Sequence, residues 1–200
     1  MTLPQIHDAI FSMKNFNVNQ FKLFFKLDTE ELKFLKTYCV QFIKNPLLAI
    51  KSVPSFNWKT LIFFVWSLAF LSGLLSGIVS RSLFSVLEGT ILFPFSSIIS
   101  IFVGSIIWYY VCLFFLERTI PFKKIYSVFA FSATSSFLFD ILFSYMFIFH
   151  FIGVAISSIF LIVGFVENFS LPKRFVFKFF VGLFALYTLI WIGTRVLLMH

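Results

Sequence analysis

Two ionisable side chains, Asp140 and His150, stand in an otherwise uncharged stretch running from Ile125 to Val166. A carboxylate facing an imidazole can relay a proton or hold a cation, and charge inside an apolar membrane segment is costly enough to point to a task. The stretch has forty-two residues, and one crossing needs about 20. It therefore reads as a transmembrane helical hairpin with almost no loop. With the turn centred near Tyr145, Asp140 and His150 lie five residues either side of it, at matching depth on facing helices. Five residues is about 7 Å of rise, which puts the pair near an interface and not at the bilayer centre, where burial costs most. A clamp closing the hairpin accounts for the pair at lower cost than transport. A small transporter or channel subunit using Asp140 and His150 is the alternative.

The rest of the chain offers little for catalysis. There is no HExxH, GxSxG, Walker loop or CxxC, and no dense group of Asp, Glu, His and Cys for a metal. The sequence predicts no enzyme, no cofactor and no metal. Its 200 residues are 60% hydrophobic, with the apolar residues in blocks, the mark of an integral membrane protein. The net charge of +8 follows membrane sidedness and gives no ground for a nucleic-acid partner. Cys39 and Cys112 are expected as free thiols, and Asp8, Lys14, Lys22, Lys26 and Asp28 break up the first thirty residues, so no cleavable signal peptide is expected.

Residues 1–60 read as a basic, cytoplasmic N-terminal region and 61–200 as a five-helix transmembrane domain. Asp28-Thr29-Glu30-Glu31 has the form of a capping box. Leu32, Leu35, Cys39, Phe42 and Ile43 follow at helical spacing, with Lys33, Lys36 and Lys44 opposite. That pattern predicts an amphipathic helix lying on the membrane and drawn to anionic headgroups. Packing against the protein's own loops is the competing reading. Asn45-Pro46 opens a short helix that Pro54 ends, and Trp58 and Lys59 form an interfacial anchor.

The predicted crossings are about 61–80, 95–116, 125–144, 147–166 and 175–194, with 82–92 as a loop or shallow turn. In the first, Ser72-Gly73 and Ser76-Gly77 make overlapping rows of small residues that admit a neighbouring helix. Packing within the chain is favoured there over self-association. Serines and threonines elsewhere in the crossings, such as Ser135 and Ser157, are read as packing bonds. Counting Lys and Arg by side gives fourteen against two, Arg81 and Arg195 being the minority. The alternation predicts a cytoplasmic N-terminus and an external C-terminus.

Phe42-Ile43-Lys44-Asn45-Pro46 with Ile50 and Pro54, and Pro121-Phe122-Lys123-Lys124-Ile125-Tyr126-Ser127-Val128-Phe129-Ala130, resemble the bacterial branch of the Yip1 family over about residues 40–195. The first resembles the segment before that family's first membrane helix, the second the start of its third. The acidic-Leu-aromatic-Gly-Pro motif of eukaryotic members is missing, and Thr134-Ser135 stand where a proline is common. The resemblance implies a non-enzymatic scaffold or adaptor of the bacterial inner membrane that assembles with other membrane proteins or with itself.

Overall fold

A computed structural model describes residues 28–143, Met146 and 148–198. The first 27 residues and the hairpin tip at Tyr145 lie outside the described residues. In chain order the elements are α1 (Thr29–Lys44), α2 (Pro46–Ala49) running into a 3-10 turn (Ile50–Ser52), α3 (Trp58–Val79) and α4 (Leu83–Leu87). A π-helical turn (Glu88–Leu92) leads into α5 (Phe93–Phe115), followed by α6 (Phe122–Ser132), α7 (Thr134–Phe143), α8 (Ile148–Phe169) and α9 (Lys173–Leu198). No strand occurs among the described residues. Five helical spans are long and apolar enough to cross a membrane: Trp58–Val79, Leu83–Phe115, Phe122–Phe143, Ile148–Phe169 and Lys173–Trp191. This is an all-α, five-span membrane architecture.

The expected loop at 82–92 is corrected: the segment is helical and continues into the second span. Ser82 caps it by accepting from the Ser85 amide at 3.3 Å, and Thr90 Oγ1 donates back to the Val86 carbonyl at 2.8 Å. Glu88-Gly89-Thr90 lies in the middle of the segment expected to turn, yet Gly89 serves close packing. A π turn precedes Pro94. A proline ring collides with the carbonyl four residues back in a regular helix; here the turn just before Pro94 is wider, the Phe93 amide bonding five residues back to the Glu88 carbonyl, and Pro94 falls in the first turn of α5.

Of the two readings of the N-terminal helix, the contacts of α1 favour packing against the protein itself. On α1 the buried residues are Leu35, Tyr38 and Phe42, with Leu32 and Cys39 packed beside them; of the predicted face only Ile43 is exposed, and Tyr38 is added to it. The reason is aromatic packing. Tyr38 lies edge-on to Phe131 at 4.7 Å, and Phe42 meets Phe160 at 5.6 Å. These rings plug into the bundle between α6 and α8, while Lys33, Lys36 and Lys44 stay exposed on the other side. The capping box is half formed. Asp28 accepts from the Glu30 amide at 3.0 Å, but Glu31 turns to Asn57, accepting from its backbone amide and from Nδ2, the latter at 2.7 Å. It thus ties the start of α1 to the start of α3.

The segment before residue 60 packs directly on the membrane spans. Ile50, Val53 and Phe56 share one core with Leu61, Val65, Tyr126 and Phe165. Asn168, near the end of α8, accepts from the Val53 amide at 2.9 Å and donates to the Ile50 carbonyl at 2.8 Å. Gly164 one turn earlier leaves room for this seat, since a Cβ there would stand 2.7 Å from Val128 Cγ1 and 3.3 Å from Ile50 Cγ1.

Candidate functional site: a polar cavity at the hairpin end

The hairpin brings Asp140 on α7 and His150 on α8 together, with Oδ1 2.6 Å from Nδ1. The other ring nitrogen, Nε2, lies 2.6 Å from the hydroxyl of Tyr187 on α9. A neutral imidazole satisfies both contacts by donating Nδ1–H to the carboxylate and accepting the Tyr187 O–H at Nε2. An imidazolium satisfies them by donating from both nitrogens. Either way the ring is held from both sides, and its proton can be exchanged without moving heavy atoms. The Asp140 and His150 side chains are 18% and 26% exposed, so the pair is shielded yet reachable.

Tyr187 was missed in the sequence. One aromatic among many in a hydrophobic span carries no mark of its own, and its hydroxyl gains meaning only from depth: Tyr187 sits in the later half of α9, which in an antiparallel bundle faces the same end as the hairpin turn.

The three side chains line a cavity of about 830 Å³. Every span contributes from the same end: Ser72 and Ser76 from the later half of α3 with Ser80 just after it, Glu88 before α5, Asp140 and Phe143, His150, and Tyr187 with Trp191. Glu88 was expected in a connecting turn and supplies a second carboxylate. No Lys or Arg lines the cavity among the described residues. Towards the other end the bundle is filled: Trp108 is 1% exposed and packs on Phe165, Phe179 and Phe180 at 4.6 to 4.8 Å.

The small-residue row of α3 is used inside the chain. Gly73 meets Gly89 backbone to backbone, Gly77 meets Val86, and Ser72 Oγ donates to the Phe137 carbonyl at 2.5 Å. Ser76 borders the cavity. The other span hydroxyls act in packing. Ser157 Oγ is 2.7 Å from both Ser135 Oγ and Ser136 Oγ, joining α7 to α8, and Ser97 and Ser105 donate to carbonyls one turn back. The Trp58 ring packs on Phe122 and Tyr126 at 5.8 and 5.2 Å, with exposed Lys59 beside it. Both cysteines are free thiols, Cys112 buried and Cys39 half-buried, and burial raises the Cys39 thiol above its ordinary range. No protein-family model, curated protein or solved structure matches the chain.

Proposed function

We propose that this chain is a non-enzymatic membrane protein of Yip1-type layout that binds a small organic cation in its hairpin-end cavity. The observation that carries the reading is the lining: carboxylates from Asp140 and Glu88, no Lys or Arg among the described residues, and aromatic walls from Phe143, Tyr187 and Trp191. Carboxylates attract an ammonium group, and aromatic faces accept its alkyl shell through cation–π contact. A volume of about 830 Å³ falls in the range of small-molecule sites, roughly 300–1,000 Å³. The fourteen-to-two division of basic residues supports an orientation with the cavity facing outward and the N-terminus in the cytoplasm. The packed rings around Trp108 towards the opposite end of the bundle favour capture over conduction.

The test is thermal unfolding of the full chain in detergent with choline or tetraethylammonium. Stabilisation beyond that given by equal sodium chloride, lost in Asp140→Asn, is expected. Equal stabilisation of the variant, or none of the wild type, would sink the reading. A C-terminal reporter active in the cytoplasm would overturn the orientation.

The scaffold or adaptor reading keeps one support. The last span is the least buried of the five, with Phe177, Val181, Leu186 and Leu189 exposed along it, an apolar flank suited to lipid or to another membrane protein. Co-purification in mild detergent that depends on polar substitutions along this flank would favour it.

A further inference from the structure

At the end of the bundle opposite the cavity, a recess of about 550 Å³ lies between the α5–α6 turn and the end of α8. Arg118 and Lys124 line it, with Glu117 and Thr119 beside them. Arg118 is fixed in place: Nη1 donates to the carbonyls of Phe169 at 3.2 Å and Ser170 at 2.9 Å, joining the α5–α6 turn to the α8–α9 turn. Lys124 Nζ stands 5.7 Å from the centre of the Phe169 ring. Two cations and one carboxylate give the recess a formal charge of +1, and Lys123, Lys173 and Arg174 stand at the starts of the adjoining helices. The spans Leu83–Phe115 and Ile148–Phe169 both end here, which sets the recess at the edge of the hydrocarbon, the depth of a lipid phosphate.

We propose that this recess binds a singly charged phosphate group, the chemistry of an anionic lipid's phosphodiester. The guanidinium matches phosphate oxygens in shape, the ammonium adds a movable point charge, and basic pockets between spans are suited to lipid headgroups. The net charge of the recess balances one phosphodiester.

The experiment is native mass spectrometry of the full chain in a maltoside detergent, offered phosphatidylglycerol and phosphatidylcholine in equal amount. Phosphatidylglycerol should be retained in preference. Lys124→Gln should lower that retention about fivefold, Lys124→Arg should preserve it, and Lys36→Gln, which removes the same charge from an exposed position on α1, should leave it unchanged. Displacement by millimolar inorganic phosphate would assign the site to free phosphate as well, and resistance would assign it to the lipid. Equal retention of the two lipids, an unaffected Lys124→Gln, or an equal loss in Lys36→Gln would overturn the proposal.

Discussion

Gly73 on α3 and Gly89 in the π turn touch through their backbones: a Cβ on Gly73 would lie 2.0 Å from the Gly89 carbonyl oxygen, and one on Gly89 2.3 Å from the Gly73 oxygen. Because the obstacle is main chain, no side chain can swing away. Gly73→Ala should therefore cost about 3 kcal/mol, at the upper end of overpacking penalties. Gly182→Ala, where nothing lies within 4 Å of the added carbon, should leave stability unchanged or raise it through better helix propensity. Thermal unfolding in one detergent decides between them, and equal melting points for the two variants would contradict the packing described.

His150 is shared by two partners, so their removal should not be additive. Tyr187→Phe keeps the ring near Phe151 (6.1 Å) and Trp191 and loses only the hydroxyl, a loss of about 1 kcal/mol. Asp140→Asn weakens a charge-assisted bond and should cost about 2 kcal/mol. The double variant should fall short of the sum, because each single change already loosens the same imidazole. A strictly additive cycle by chemical denaturation would show that the tyrosine acts apart from the pair.

Tyr38 predicts an alkaline weakness. Its hydroxyl donates to the Ala49 carbonyl at 2.9 Å, and burial first, then the neighbouring Cys39 thiolate, holds the phenol well above the usual tyrosine range. Unfolded chain ionises near pH 10 while the folded chain keeps the proton. The stability this group contributes is thus intact below pH 10 and falls as pH rises through that value. Tyr38→Phe should be about 1 kcal/mol less stable at pH 8 and should show a shallower decline between pH 9 and 11. Parallel declines in the two proteins would refute the assignment.

Asn168 predicts a local opening. In Asn168→Ala the Val53 amide and Ile50 carbonyl lose their side-chain partner in a place where Ile50 is fully buried and Val53 is 4% exposed. Each such group costs about 1–3 kcal/mol when orphaned. The melting point should drop, and hydrogen exchange at the Val53 amide should speed up by at least tenfold, while amides in the middle of α5 keep their rates. Unchanged exchange at Val53 would show that the side chain is dispensable.

Five spans were legible because hydropathy in blocks and the alternation of Lys and Arg are properties of the one-dimensional chain. The Asp140–His150 contact was legible for a related reason: two residues equidistant from a tight turn must meet. What escaped reading was whatever depended on the third dimension. Three spans end on residues in left-handed backbone that are not glycine, Arg81, Glu117 and Ser170, with φ of 51 to 53°, so the usual C-terminal marker was missing. Gly89 looked like a break because close approach and turning demand the same residue. On α1 periodicity marked Leu32, Leu35, Cys39 and Phe42 but not that Tyr38, and not Ile43, completes the inward face. The Phe131 and Phe160 rings settle that, and both lie far along the chain.

The partners of Asn168 stand 115 and 118 residues before it in the chain. During synthesis Ile50 and Val53 leave the ribosome long before the residue that will hold them exists. Until the fourth span is made, the Val53 amide and the Ile50 carbonyl lack the side chain that joins them. Docking of the N-terminal segment is therefore a late event of assembly, and it reports that four of the five spans have already reached their places.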